Sequence, residues 1–179
     1  MNNKFISLLL AFTFAAATLT TANAADYTTS KDKVVSINPF SFMWGDFSAK
    51  LEIKKSPNNS ISFDVGIWSY YDNWTGFKLG ASYKWYIDLF EEKKSSLNGL
   101  ALGPRVDLAY WSTNYDWGAY AYESYPSLGI GAEVSYKWVF GGGKWAVEPN
   151  IKFSFPVMRK KYGFTPQDHG YGVSVGYCF

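Results

Sequence analysis

His169 is the first residue to consider for chemistry, because imidazole is the commonest general base at neutral pH and the chain has only one. It follows Asp168 and precedes Ser174, so one short stretch contains the three residue types of a serine-hydrolase triad. In an extended strand Asp168 and His169 would lie on opposite faces, and Ser174 has the opposite parity to His169. This is poor geometry for acyl transfer. We therefore expect a histidine at the entrance of a strand, no catalytic residues and no enzyme.

The sequence offers no cofactor or metal site. Cys178 is the only cysteine, which excludes a disulfide framework, and its small neighbours predict a buried, unreactive thiol. The stretch from Gly141 to Lys144 superficially resembles a phosphate-binding loop. However, Trp138 occupies the position of the required first glycine, and no serine or threonine follows Lys144. We expect no cofactor, no metal and no nucleic-acid partner.

The charged residues form the clearest chemical pattern in the chain. Many of them lie at every second position of segments whose other positions are apolar, and a period of two collects them on one face of a strand. The predicted members of this charged face are Lys50, Glu52, Asp64, Lys78, Lys84, Arg105, Asp107, Glu133, Lys137, Glu148 and Lys152. Positive and negative members nearly balance. If this face is buried, its charges must be paired, so we expect an ion-pair network that includes Arg105 and Glu133.

Eight alternating segments position these residues. They cover residues 34–44, 47–55, 61–71, 75–88, 99–110, 127–140, 145–157 and 170–179. The first is the least regular, and its change of phase predicts a bulge near Pro39. Pro104 and Pro149 lie inside strands, where a residue without an N–H group interrupts the ladder. The pattern predicts an all-β fold, an eight-stranded antiparallel up-and-down barrel over residues 34–179.

The first 24 residues have the features of a secretory signal peptide. Lys4 precedes an apolar core from Phe5 to Ala17, and Ala22-Asn23-Ala24 matches a cleavage site. Residues 25–33 would then form a short periplasmic segment before the barrel. The apolar core is too short to span a bilayer as a helix, which needs about 20 residues.

The glycines indicate which face of the strands points inward. Alternation alone fits both a soluble lipocalin-like barrel and a membrane barrel. The glycines outside the predicted connections all share the charged face: Gly66, Gly76, Gly80, Gly99, Gly103, Gly129, Gly131, Gly170, Gly172 and Gly176. Small residues beside long charged ones suit the narrow interior of eight strands, whereas the bulky residues of the other face would not fit there. We therefore expect the apolar face to contact lipid, with Trp85, Trp138, Trp145 and Tyr110 as interfacial anchors. The charged face would fill the lumen, either as structural packing alone or as a gated or proton-linked path.

The last strand carries a recognisable signature. Large residues alternate with small ones, and the chain ends on an aromatic residue; the large members are Tyr171, Val173, Val175, Tyr177 and Phe179. Together with the signal peptide and the eight amphipathic strands, this resembles the small outer-membrane β-barrel superfamily that includes OmpX and the membrane domain of OmpA. The resemblance covers essentially the whole mature chain. It implies a monomeric barrel in the bacterial cell outer membrane of a Gram-negative cell, with the final strand read by the barrel-insertion machinery.

Two groups of residues fall in the predicted outer connections. Arg159, Lys160 and Lys161 form a basic run that could contact lipopolysaccharide phosphates or remain solvated. The connection between the fifth and sixth strands is aromatic and could anchor the barrel or recognise a host protein or glycan; its members are Trp111, Tyr115, Trp117, Tyr120, Tyr122 and Tyr125. The sequence thus predicts a non-enzymatic, porin-like outer-membrane barrel with a plugged lumen, acting in envelope structure or surface recognition. A narrow channel for small or hydrophobic solutes is the alternative, and a lipid A modifying enzyme, which some barrels of this size resemble, is a third.

Overall fold

The computed structural model describes residues 31–70, 74–87, 97–113, 124–157 and 169–179. The predicted signal peptide, Asp168, the basic run from Arg159 to Lys161 and most of the aromatic connection therefore lie outside the described residues. Within the described ranges, no helix is long and apolar enough to cross a membrane.

Eight strands form one closed antiparallel barrel. In chain order they are β1 Lys33–Ile37, β2 Asp46–Ser56, β3 Asn59–Tyr70, β4 Trp74–Ile87, β5 Gly99–Thr113, β6 Ser124–Phe140, β7 Trp145–Pro156 and β8 His169–Cys178. Each strand pairs with its neighbours in sequence, and β1 closes the barrel by pairing with β8. The predicted eight-stranded up-and-down architecture is confirmed. We refer to the end that carries Lys33 and Phe179 as the terminal end and to the opposite end as the outer end.

The first strand is shorter than predicted. The expectation of a strand over residues 34–44 with a bulge near Pro39 is wrong, because β1 stops at Ile37 and a short 3-10 helix covers Ser41–Trp44. The Asn38 side chain ends the strand: its Oδ1 accepts hydrogen bonds from the backbone N–H groups of Phe40 (3.1 Å) and Ser41 (3.3 Å). Such local side-chain bonds compete with the ladder, and Pro39 has no donor with which to continue it.

Pro104 and Pro149 interrupt two ladders without shifting them. Between β4 and β5, pairing stops at Ser82 opposite Arg105 and resumes at Trp85 opposite Leu102, in the same register. The β6–β7 ladder has an equivalent gap beside Pro149, again without a change of register. The two strands approach closely at the first gap, where a Cβ on Gly103 would collide with the backbone of Tyr83. Pro104 and Pro149 can therefore lie within paired strands without changing the register of the barrel.

The strands alternate between a buried inner side and an exposed outer side. In β5, Ala101, Arg105 and Asp107 are at most 2% exposed, whereas Leu102 and Val106 are 40% and 48% exposed. The inner side is polar and the outer side is apolar, the reverse of a soluble barrel. This arrangement directs the charged face into the lumen.

Candidate functional site

Arg105 organises the half of the lumen nearer the outer end. Its Nη1 and Nη2 atoms donate to the two carboxylate oxygens of Asp64 at 2.6 and 2.7 Å, and its Nε donates to Asp107 Oδ2 at 2.9 Å. Nη1 also donates to Ser82 Oγ and to Glu133 Oε2, both at 3.1 Å. The planar guanidinium suits this fork of acceptors better than an ammonium group would.

Gly80 makes room for that guanidinium. A Cβ at this position would overlap Arg105 Nη2 and come within 2.7 Å of Asp64 Oδ2. A side chain at this position would therefore displace the Arg105–Asp64 ion pair that lies over Gly80. This gives a physical reason for the mixture of small and long residues in the predicted lumen.

Lys84 lies on the part of β4 nearer the terminal end and contacts three carboxylates from three strands. Its Nζ lies 2.5 Å from Glu148 Oε1, 3.0 Å from Glu133 Oε1 and 3.4 Å from Glu52 Oε2. Ser135 Oγ accepts a further hydrogen bond at 3.3 Å. Both partners in the pairs with Glu52 and Glu133 have fully buried side chains. The ammonium group thus ties β4 to β2, β6 and β7 across the barrel.

Glu52 is contacted by three further donor side chains on the terminal side of Lys84. Lys137 Nζ lies 2.5 Å from its Oε2, and Tyr86 donates its hydroxyl to Oε1 at 2.5 Å. Ser60 Oγ donates to the same Oε1 at 2.7 Å. Together these partners satisfy both oxygens of a carboxylate that has no exposed surface.

Glu133 joins the two halves of this network. Its Oε1 faces Lys84, while its Oε2 accepts from Arg105 and also from Ser82 Oγ at 2.7 Å. Glu148 extends the network further, with Lys50 at 2.8 Å and Lys137 at 3.3 Å from its Oε2. One continuous set of buried contacts therefore runs along the lumen, through both of the residues singled out from the sequence.

The remaining predicted members lie towards the outer end. Lys152 Nζ is 3.6 Å from Asp64 Oδ1, and its side chain is 20% exposed. Lys78 is half-buried on β4 and does not take part in the contacts described above. The ion pair of Lys152 is thus longer and more exposed than the pairs around Arg105 and Lys84.

A small apolar cluster covers the terminal end of the lumen. Leu97, two residues before the start of β5, is fully buried against Val34, Ala146 and Cys178, and Val139 packs on the same cluster. The prediction that the Cys178 thiol is buried is confirmed.

Two contributors are absent from the predicted ion-pair members. Tyr86 shares its parity with Lys84 on β4, and alternation places it on the charged face. Leu97 carries no such signal, because it lies in a connection and its burial depends on how the barrel closes.

The candidate triad is only partly described. The backbone of His169 lies opposite Phe153 at the start of β8. Ser174 faces inward, where its Oγ lies 3.4 Å from Asn150 Nδ2. Asp168 lies outside the described residues. Within the described ranges, no group of three or more His, Cys, Asp or Glu side chains could hold a metal ion.

The outer side of the barrel carries a continuous array of large apolar side chains. Aromatic pairs occur towards both ends: Tyr83 with Trp85, Tyr136 with Trp138, Trp145 with Tyr177, Phe77 with Tyr110, and Phe42 with Phe47. The last strand presents Tyr171, Tyr177 and Phe179 on this side, at 86%, 42% and 48% exposure. The large residues of the terminal signature thus face away from the lumen.

Comparison with known proteins identifies the fold. No protein-family model matches the chain, and no curated protein matches it by sequence. Among solved structures, the chain is similar to the N-terminal β-barrel domain of OprF from Pseudomonas aeruginosa, with a TM-score of 0.51 and 10% sequence identity. The match covers 83% of this chain and 98% of that domain. The two share a fold. The expected resemblance to small barrels of the OmpA type is confirmed for the fold.

Proposed function

We propose that this chain is an outer-membrane β-barrel with a closed polar lumen, without enzymatic activity, that acts in envelope structure or surface recognition through its outer connections. The observation that carries the proposal is the inverted distribution of polarity. Fully buried charges fill the inside, while Phe77, Leu79 and Val106 are 44%, 47% and 48% exposed on the outside. Soluble monomers rarely expose contiguous apolar patches beyond a few hundred Å². Lipid around the barrel would remove the free-energy cost of exposing these apolar side chains to water.

The height of the apolar band also supports a membrane environment. On β4 the outward apolar run extends from Phe77 to Trp85. At about 3.4 Å per residue and a tilt of roughly 40°, this run spans about 20 Å, close to the ~25 Å band of membrane barrels. The aromatic pairs near its two ends match the girdles that such barrels place at the interfaces.

Cell fractionation tests the proposed location. We expect wild-type protein in the outer-membrane fraction, with a band whose gel mobility changes on boiling. Deletion of Phe179 should deplete that band if the insertion machinery reads the terminal aromatic residue, while Phe179→Tyr, which keeps an aromatic ring, should retain it. A soluble periplasmic product from the wild-type gene would contradict the proposal.

The alternative of a narrow channel is favoured by one observation, the partial exposure of Lys152 at the outer end. The filled mid-lumen and the Leu97 cluster argue for a closed barrel instead. Planar-bilayer recording distinguishes the two. We expect no steady conductance from the wild type, and stable unitary currents would support the channel.

Two further parts of the proposal concern the outer side. Replacing Arg159, Lys160 and Lys161 together by glutamine should weaken co-purification of lipopolysaccharide if this basic run contacts its phosphates, with Lys144→Gln in a terminal-end turn as the control.

The mass of lipid A should not change on expression of the protein. A mass change that disappears with His169→Ala would refute the non-enzymatic role.

A further inference from the structure

The exposed lysines at the terminal end are concentrated on one side of the barrel. Lys33 on β1, Lys55 on β2 and Lys144 in the turn between β6 and β7 are all exposed. We call these three residues the lysine arc. On the other side of the barrel, the outward positions at the terminal end of β3 to β6 are apolar: Ile61, Trp85, Leu100 and Trp138.

Strand pairing brings the lysine arc together around the end of β8. Phe179 N donates to Lys33 O at 2.9 Å, and Lys33 N donates to Phe179 O at 3.1 Å. On the other side of β8, Cys178 N donates to Lys144 O at 2.7 Å. Lys55 lies on β2, the strand next to β1. Neighbouring strands are about 4.8 Å apart, so roughly 10 Å separates the backbones of Lys33 and Lys144, and their extended side chains can reach one phosphate group.

Positive charge dominates this end of the barrel. Lys33 Nζ lies 5.9 Å from the centroid of the Phe179 ring, and no member of the lysine arc forms an ion pair with another described residue. Lys31 and Lys54 lie at the same end, where the described negative groups are the Asp32 side chain and the terminal carboxylate. Residues 88–96, outside the described residues, contain three acidic residues and two lysines, which leaves the sum positive. The lysine arc therefore favours an anionic partner.

The outer surface next to the lysine arc is suited to hydrocarbon chains. Val35, Trp145 and Tyr177 are 49%, 47% and 42% exposed on the outward side. The rings of Trp145 and Tyr177 pack edge to face, with centroids 5.3 Å apart. Aromatic rings of this kind lie at the level of lipid headgroups, and lysine ammonium groups extend from there towards water. A molecule with a phosphate at one end and acyl chains at the other matches both parts of this surface.

We propose that the lysine arc binds the phosphate of an anionic glycerophospholipid, whose acyl chains lie on the outer surface beside Val35 and Tyr177. The proposal rests on the membrane location proposed above. An anionic headgroup is favoured over a zwitterionic one because the ammonium of a zwitterionic headgroup would be repelled by the same lysines. Each lysine near an anionic lipid surface contributes about fivefold in affinity.

Photo-crosslinking tests this site. The full mature barrel is placed in phosphatidylcholine vesicles that contain a small fraction of phosphatidylglycerol with a diazirine near the carbonyl end of one acyl chain. We expect cross-links concentrated in peptides that contain residues 33–35, 145–147 and 175–179. Phosphatidylcholine with the same diazirine should label the barrel evenly. The same distribution for both lipids would overturn the proposal.

Inorganic phosphate distinguishes a lipid from a soluble anion as the occupant. Sodium phosphate and sodium chloride at the same ionic strength should reduce the phosphatidylglycerol cross-links equally, because both act by screening. A much larger loss with phosphate would show that the lysine arc takes the free ion, and this result would contradict the lipid proposal.

Charge variants provide the matched control. The triple variant Lys33→Gln, Lys55→Gln and Lys144→Gln should lose the preference for phosphatidylglycerol, and each single variant should lower it about fivefold. Lys78→Gln removes one positive charge from the inward side of β4 and should keep the wild-type preference. Equal losses in Lys78→Gln and the single variants would refute a role specific to the lysine arc.

The heat-dependent gel shift, measured for every variant, shows whether the barrel is folded. A folded wild-type barrel with evenly spread cross-links refutes the lipid site alone. A wild type without the gel shift refutes the barrel in the membrane, on which the site depends.

Discussion

Arg105 binds Asp64 and Asp107 through a single guanidinium and also reaches Glu133, so its loss removes a buried partner from three carboxylates at once. Removing one partner of a buried ion pair leaves the other charge uncompensated, which costs about 3 to 5 kcal/mol. We expect Arg105→Met to lower the free energy of unfolding by about that amount. Urea titration of the barrel in lipid vesicles measures it.

Lys78→Met is the control for this prediction. Lys78 is half-buried and lies outside the ion-pair contacts of the lumen, so its replacement should change the free energy of unfolding by less than about 1 kcal/mol. Equal losses for the two variants would show that the barrel responds to any loss of positive charge and not to the geometry at Arg105.

Tyr86 tests a single hydrogen bond to a buried charge. Its hydroxyl donates to Glu52 Oε1, and hydrogen bonds to charged groups contribute about 1.5 to 3 kcal/mol. Tyr86→Phe should reduce the free energy of unfolding by an amount in that range. Tyr83→Phe, on the outward face of the same strand, should have little effect, and a comparable loss there would contradict the assignment.

At the scale of the strands, the backbones of β4 and β5 approach closely at Gly103, beside the ladder gap left by Pro104. A Cβ at Gly103 would overlap the Tyr83 carbonyl, and backbone cannot move aside as a flexible side chain can. We expect Gly103→Ala to cost at least about 1 to 3 kcal/mol and to reduce the yield of heat-modifiable barrel. Gly170→Ala, where the added methyl meets nothing within 4 Å, should fold with wild-type yield.

Alternation in the sequence predicted seven of the strands but gave the wrong end for β1, the first strand. A period of two is a local property, so it assigned β2 through β8 and their inward residues to within a few positions. The end of β1 depends on Asn38, whose side chain bonds to Phe40 and Ser41 in a geometry that alternation does not encode. The hydrophobic residues of the 3-10 helix continue an alternating pattern, so the first strand was predicted to extend to residue 44.

The partners within the lumen could not be predicted in the same way. Parity shows that Lys84 and Glu148 face inward, but their contact spans 64 positions of the chain and depends on barrel closure. Alternation also places Tyr86 on the charged face. It says nothing of Leu97, whose burial follows from how the start of β5 meets β1, β7 and β8.

At the scale of the whole molecule, the two ends of the lumen differ. The terminal end is covered by the cluster of Leu97, Val34, Ala146 and Cys178, which makes the single thiol a native reporter of closure. We expect Cys178 in the folded barrel to react with a water-soluble maleimide far more slowly than in the unfolded chain, because it has no exposed surface. Leu97→Ala should raise the rate in the folded state by opening a cavity beside it.

Leu102→Ala controls for a general loss of stability, because Leu102 lies on the outward face of β5. Its maleimide rate should match that of the wild type. If both variants accelerate labelling equally, the thiol is reached through global unfolding and the cluster is not the barrier.

The bridging position of Glu133 also bears on how this protein can evolve. Lys84 and Arg105 share that one carboxylate, so a change at any of the three alters the charge balance of both halves of the lumen. Substitutions among such neighbours are strongly non-additive. The interior is therefore expected to change in compensating sets, whereas the outer face can drift one residue at a time among apolar side chains. In a library of functional variants, lumen substitutions should appear as correlated pairs and substitutions on the outward apolar face as singles.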